Sequence, residues 1–322
     1  MAKQLKVVFM GTPEFAVQSL DSIVKSNHKV VGVITSADKP AGRGKKLRAS
    51  AVKEYAVAHQ LPLLQPEKLK NPDFLAELKA LNADIFVVVA FRMLPELVWN
   101  MPPMGTFNLH ASLLPQYRGA APINYAIING EKESGATTFF LDKKIDTGRI
   151  ILQKKCSIAD TDDAGDLHDR LMDLGGDLVV ETLDLIASGN YKTIDQLESS
   201  TETLKPAPKI FKDDCRINFK QDVNTCYNHI RGLSPFPGAF TEIISPEGKV
   251  FLLKIFKTEH ISNTNAVAGS IITDGKNSLE ISCKNGNLRI LQLQLQGKKR
   301  MTTEDLLRGF KIDNNWKIKV SN

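Results

Sequence analysis

Asn108 and His110 stand two residues apart in Phe107-Asn108-Leu109-His110, a stretch that reads as a buried strand. Side chains at i and i+2 of a strand share a face. An amide and an imidazole placed together can both donate hydrogen bonds to one developing oxyanion. The plainer reading is a satisfied core histidine beside a turn-forming asparagine. Downstream lies Ile145-Asp146-Thr147-Gly148, which by composition is a turn or cap. An aspartate returned beside a histidine would hold the imidazole in one tautomer and stabilise its cation. No Gly-x-Ser-x-Gly accompanies the histidine, and Cys156, Cys215, Cys226 and Cys283 fall elsewhere. The chemistry therefore reads as direct transfer between two bound substrates, without a covalent enzyme intermediate.

The elements that must position these residues alternate. Leu5–Met10 and Lys29–Ile34 read as strands around a helix with apolar Ala16, Leu20, Ile23 and Val24. Helical patterns over Ala51–His59 and Asp73–Leu81 flank a short strand at Leu61–Leu64. Asp84–Ala90 is the kind of apolar run that is covered on both faces of a parallel sheet. Thr106–His110 follows as the next strand. This β-α-β-α order predicts a doubly wound, Rossmann-like parallel sheet, a class that binds ligands at the carboxyl ends of its strands. Ala136–Leu141 and Arg149–Ser157 then pair as a hairpin, and a long helix runs from about Asp163 to Ala187 with Gly189 ending it.

Tyr191–Pro208 is polar and closes on Lys205-Pro206-Ala207-Pro208, the composition of a linker. Beyond a helix at Val223–Leu233, short strands recur at Ala239–Ile244, Val250–Phe256, Ala268–Ile272, Leu279–Ser282 and Leu288–Leu293. They predict a small C-terminal β-barrel, of which the oligonucleotide-binding type is one candidate. The expected division is 1–189 for a catalytic domain, 190–208 for a linker and 209–322 for the barrel.

Charge is distributed unevenly over the 322 residues. The net +6 resolves into +7 from Pro206 onward and −1 before it. One N-terminal segment is the exception: Asp38–Arg48 holds five basic residues against one acidic. Two basic patches on an otherwise acidic body suggest a large polyanion as partner. Each patch alone also reads as solvated surface. The cysteines show no C-x-x-C and no histidine at ligand spacing, so a zinc site and a disulfide framework are not expected, and a reducing cytoplasm fits. The longest apolar run, Ile85–Phe91, is far short of a membrane helix, and the first residues lead straight into a strand rather than a signal peptide. Neither a Gly-x-Gly-x-x-Gly turn nor a Gly-x-x-x-x-Gly-Lys-Ser/Thr phosphate loop is present, which argues against a nicotinamide enzyme.

Taken together, VVFMGTPEFAVQSL (7–20), SADKPAGRGKKL (36–47), NLHASLLPQYRGAAPI (108–123), IDTGRI (145–150), IRGLSPFPGAF (230–240) and QGKKRMTTEDLLRG (296–309) closely resemble the methionyl-tRNA formyltransferase family. The resemblance covers nearly the whole chain. It implies transfer of a formyl group from 10-formyltetrahydrofolate to the α-amine of methionyl initiator tRNA, with no metal and no membrane partner, by a monomer. Carried over residue by residue, Asn108, His110 and Asp146 match the family's catalytic triple. Ser112, Leu113, Leu114 and Pro115 match its folate loop, with Phe91 and Leu94 on the neighbouring folate segment. Arg43, Lys45, Lys46 and Arg48 fall in the loop that meets the tRNA acceptor end, and Lys298, Lys299 and Arg300 in the tRNA-binding barrel. The family's Val-Val-Ala-Tyr-Gly is Val88-Val89-Ala90-Phe91-Arg92 here, one residue shorter before Leu94-Pro95. Arg92 then either meets the glutamate carboxylates of the folate or is solvated. The runner-up within the same chemistry is a formyltransferase for a small amine, such as a sugar nucleotide or glycinamide ribonucleotide. A non-catalytic RNA-binding module is the alternative from another class.

Overall fold

The computed structural model describes residues 3–41, 46–196, 203–261 and 267–319, with backbone only for 39–41 and 46–47. The chain forms two compact units. The first comprises Met1–Gly119, Glu133–Ser157 and His168–Pro206; the second comprises Ala120–Lys132, Ile158–Leu167 and Ala207–Asn322.

In chain order the elements are β1 (Lys6–Gly11), α1 (Glu14–Lys25), β2 (Lys29–Ile34), β3 (Lys39–Ala41), β4 (Lys46–Arg48), α2 (Ala51–Ala58), β5 (Leu63–Leu64), α3 (Pro72–Ala80), β6 (Ile85–Val89), α4 (Glu96–Trp99), β7 (Thr106–His110), α5 (Pro122–Ile128), β8 (Glu133–Phe140), β9 (Ile150–Ser157) and α6 (Ala164–Ser188). The first sheet runs β5-β2-β1-β6-β7-β8-β9. Its first five strands are parallel, and β8 and β9 extend it as an antiparallel pair. All five residues of β6 are buried, as a strand covered on both faces must be. On α1 the stripe Phe15, Ala16, Leu20 and Ile23 is buried.

Local chemistry sets the helix starts. Ser50 caps α2 by accepting from the Lys53 amide, and Asn71 caps α3 ahead of Pro72 in the first turn. Close approach matters at Gly175 in α6: a Cβ there would lie 2.7 Å from Leu109 Cδ2. That glycine lets the helix sit directly over β7, the strand that carries Asn108 and His110.

The second unit is built on α7 (Val223–Gly232), β10 (Ala239–Ile244), β11 (Val250–Ile261), β12 (Ile271–Thr273), β13 (Leu279–Ser282), β14 (Asn287–Leu295), β15 (Met301–Thr302), α8 (Thr303–Gly309) and β16 (Lys317–Ile318). Its strand order is β12-β13-β14-β11-β10-β16, with β15 on β14. A bridge between Ser270 and Lys317 brings the two edges together, so the sheet closes into a small barrel. Cys226, Ile230 and Leu233 from the α7 region and Leu306 and Leu307 from α8 join its core. The predicted parallel sheet followed by an OB-like barrel is the fold observed. Sequence periodicity did not reveal α8, β15 or β16, which are too short to carry a period.

Candidate active site

Asn108 and His110 lie at the carboxyl end of β7, between β6 and β8. Asn108 is half-buried and His110 is 6% exposed. The imidazole is held by backbone: Nε2 lies 2.8 Å from the carbonyl oxygen of Tyr117. A carbonyl only accepts, so Nε2 carries the proton and donates it. Nδ1 then faces Asp146, whose Oδ2 is 4.0 Å away. That distance is an ionic contact and too long for a hydrogen bond. The expected tether from Asp146 to the ring is thus replaced by the Tyr117 carbonyl. Asp146 is itself pinned, because its Oδ2 accepts the Gly119 amide at 3.0 Å.

Three non-glycine residues around this point have left-handed backbone: Ala90 after β6 (φ 46°), Tyr117 (φ 60°) and Asp146 (φ 54°). Aspartate tolerates that region, but alanine and tyrosine do so at a cost of about 1–3 kcal/mol each. Two of the three supply the groups that flank the imidazole. Such strain persists only where surrounding contacts over-determine it, and those contacts are visible. Tyr117 N–H donates to the Lys205 carbonyl at 2.7 Å. Gly148 has no room for a side chain, since a Cβ would fall 1.7 Å from the Phe140 carbonyl oxygen. The glycine of Asp-Thr-Gly is therefore dictated by packing.

The loop Ser112–Pro115 is buried from behind. Ser112 is fully buried and its hydroxyl donates to the Gln116 carbonyl at 2.7 Å. Thr137 of β8 donates to the Ser112 carbonyl and accepts from the Leu114 amide, and Gln153 of β9 donates to the Leu114 carbonyl at 2.8 Å. Leu114 packs with Phe139 and Ile150. Leu113, half-buried, lies over Gly135, where a Cβ would meet it at 2.5 Å. The loop thus offers a ligand its backbone and shape more than its hydroxyl.

On the neighbouring segment, Leu94 is core, packed with the cluster around Val88 and Val98, and Phe91 is half-buried against the same cluster. Met93 is 74% exposed, and the sequence reading passed over it. Arg92 is exposed on the surface, where its guanidinium donates to the carbonyls of Pro66 and Glu67 and lies 5.7 Å from the Phe91 ring centroid.

Of the basic loop, Arg43 and Lys45 lie outside the described residues. Lys46 and Arg48 fall on β4, which pairs with β3 as a hairpin, and Arg48 is exposed. Just before that hairpin, Asp38 accepts from Lys53 Nζ at 2.6 Å and from Gln65. The Lys53 ammonium holds the Asp38 carboxyl below its usual range. Lys298, Lys299 and Arg300 are exposed after β14, and Arg300 lies 4.3 Å over the Phe256 ring. Among the described residues no three His, Cys, Asp or Glu side chains gather as a metal site requires.

Sequence reading missed Thr137, Gln153 and Gln196. Gln196 is 2% exposed and sits within the segment read as linker. Nothing in its neighbours' composition marks it as buried.

Comparison with known proteins defines the class first. The family model for formyl transferase matches residues 5–183, and that for the formyl transferase C-terminal domain matches residues 209–311. Among solved structures, the N-formyltransferase from Helicobacter canadensis in complex with folinic acid and dTDP-3-aminofucose has a TM-score of 0.63 at 23% identity, over 89% of this chain and 99% of that one. HypX from Aquifex aeolicus in complex with tetrahydrofolic acid gives 0.63 at 14%, over 99% of this chain and 51% of that one. At these identities the likeness is one of fold. The sequence relatives are much nearer. Methionyl-tRNA formyltransferase of Bacteroides fragilis is 56% identical over 320 residues, 99% of each chain, and that of Parabacteroides distasonis 56% over 313 residues, 96% of this chain and 97% of the relative. The chain belongs to the methionyl-tRNA formyltransferase family.

Proposed function

We propose that this protein transfers the formyl group of 10-formyltetrahydrofolate to the α-amino group of methionine esterified to initiator tRNA, with Asn108, His110 and Asp146 as the residues at the reacting atoms. The observation that carries this reading is the convergence of an amide, an imidazole and a carboxylate at the end of β7, in a chain with full-length relatives of that activity.

A free α-amine titrates near pH 7.7–8.0, and an adjacent ester lowers that by withdrawing electrons. A large fraction is neutral at physiological pH, so attack needs no strong base. The amine nitrogen adds to the formyl carbon, and the formyl oxygen becomes an oxyanion. Asn108 donates to it. With Nε2–H committed to Tyr117, Nδ1 is the ring atom that takes the proton from the amine. It then returns that proton as the bond to the folate nitrogen breaks. Asp146 favours the transient imidazolium as a charge 4.0 Å away rather than as a hydrogen-bonded tether. The Ser112–Pro115 loop and the segment around Phe91 and Leu94 shape the folate side, Leu94 from within the core.

The linear division into a catalytic domain (1–189), a linker (190–208) and a tRNA-binding barrel (209–322) belongs to the same reading. The exposed cations Arg48, Lys298, Lys299 and Arg300 support a polyanionic partner, as does the +7 of the C-terminal third. A sugar nucleotide or ribonucleotide amine needs no such extended field. A cytoplasmic monomer fits this role, and no described helix is long and apolar enough to cross a membrane.

The test is formyl transfer from labelled 10-formyltetrahydrofolate to methionine-charged initiator tRNA, beside uncharged tRNA, elongator methionyl-tRNA and free methionine. Product on the charged initiator alone is the expected result. Folate consumed only with a small amine would keep the Asn-His-Asp site and overturn the tRNA reading.

A further inference from the structure

Gln196 makes a complete set of bonds. Its Oε1 accepts from Arg118 Nε at 3.0 Å and Nη2 at 2.6 Å. Its Nε2 donates to the carbonyls of Asp146 at 3.1 Å and Gly148 at 2.7 Å. Both acceptor positions and both N–H groups of the amide are used. The amide cannot be turned over, because a guanidinium only donates and carbonyls only accept. One 2%-exposed side chain therefore joins two pieces of chain: the Tyr117-Arg118-Gly119 loop and the Asp146-Thr147-Gly148 turn. The first supplies the carbonyl that holds His110 and the amide that holds Asp146. The second supplies the carboxylate.

We propose that Gln196 is a positioning residue for formyl transfer, holding the left-handed Asp146 turn at its ionic distance from His110 by clamping it to the Tyr117–Gly119 loop. The inference rests on the formyl-transfer reading of the same site. Neither piece fixes Asp146 alone. The Gly119 amide holds one carboxylate oxygen, while the backbone of the turn is held at Asp146 and Gly148 by Gln196. Near neighbours secure the clamp from its own side: Ile194 pairs with Ile150 through two backbone bonds of 2.9 Å, and Arg149 donates to the Thr193 carbonyl at 2.8 Å. The residue type is specific. Glutamate would keep Arg118 but set a carboxylate against two carbonyl oxygens. Methionine would fill the same space with no bonds.

The experiment is a double-mutant cycle on turnover, with Q196M, D146A and the pair Q196M/D146A, each checked for folding by thermal melting. Q196M should lower kcat ten- to a hundredfold and change KM for charged tRNA less than threefold. It should displace the pH–rate profile in the same direction as D146A. In the D146A background, adding Q196M should cost less than twofold, because the residue acts through Asp146. Losses that multiply, or a Q196M profile of wild-type shape, would make Gln196 simple packing and overturn the proposal. So would a folded Q196M with kcat within twofold of wild type. If D146A itself kept full activity, the reading of the site would fail instead, and the two failures are distinguishable.

Discussion

Gly148→Ala is the sharpest test of the geometry. The Cβ position of Gly148 lies 1.7 Å from the Phe140 carbonyl oxygen and 3.4 Å from Phe139 Cδ2. Real Cβ atoms essentially never come within 3.0 Å of another heavy atom, so backbone must yield by about 1.3 Å. The obstacle is main chain at the end of β8, which is paired on both sides by β7 and β9, with the Phe140 amide bonded to the Arg149 carbonyl at 3.0 Å. The turn will therefore move more readily than the strand. Gly148 also gives its carbonyl to Gln196, and Asp146 is two residues away. Overpacking of this kind costs about 1–3 kcal/mol, a few degrees of melting temperature in a body of this size. The catalytic effect is larger in proportion, since a displacement of about 1 Å at a reacting group can cost about a hundredfold. The expected result is kcat down about a hundredfold with KM for both substrates within about threefold, the signature of a lost transition-state interaction. Gly189→Ala is the control. It has a left-handed φ of +69° and nothing within 4 Å, so alanine should cost about 1–2 kcal/mol of stability with turnover intact. Should G148A melt like G189A and also turn over within threefold of wild type, turn geometry does not set the chemistry, and the argument for Asp146 fails.

The other predictions concern the same site and two surfaces. N108A and H110A should each lower kcat a hundredfold or more, on the scale of about 2.7–4 kcal/mol for one lost oxyanion-type interaction. Full single-turnover activity in either variant removes that residue from the mechanism. Arg43→Ala should raise KM for charged tRNA and flatten the slope of log KM against log salt by about one; an unchanged slope would make the loop ordinary surface. Asp274 accepts backbone amides from Lys276, Asn277 and Ser278, and these hold its carboxyl down to about 2. Its contribution to stability is present above the unfolded value of about 3.9 and is lost as pH falls through about 2. The stability gap between wild type and D274A should narrow across that window, measured by urea unfolding. A gap constant from pH 5 to pH 2 would refute the assignment.

What the sequence made legible follows from what a short range can encode. The all-apolar β6 and the striped α1 announce themselves because burial repeats at a fixed period. Asn108 and His110 were legible because two polar side chains on one face of a strand demand an explanation. Asp146 was legible as a turn, but its role depended on the fold returning it to β7. Gln196 was not legible at all. Its segment is polar and proline-rich, which is the composition of a linker, yet the amide is buried by partners at positions 118, 146 and 148. Composition records what a segment can bury on its own, and here the burial is supplied by three distant residues. The missed elements α8 and β15 fail for the opposite reason: each is held by local capping and one neighbouring strand rather than by a pattern.

The way His110 is held bears on what it can do. Were Asp146 hydrogen-bonded to the ring, Nδ1–H would be fixed and Nε2 would face the substrate, as in a hydrolase relay. The observed arrangement is reversed. Nε2–H goes to the Tyr117 carbonyl at 2.8 Å, a partner that cannot accept or lose a proton during the reaction. Nδ1 faces the carboxylate across 4.0 Å, an ionic distance too long for a shared proton. A ring held this way leaves Nδ1 as its proton-exchanging nitrogen, with the Asp146 carboxylate 4.0 Å away. That suits an amine nucleophile, which sheds a proton only after it has attacked. The left-handed Tyr117 then has a function that its side chain does not reveal: its backbone aims the carbonyl that selects the tautomer.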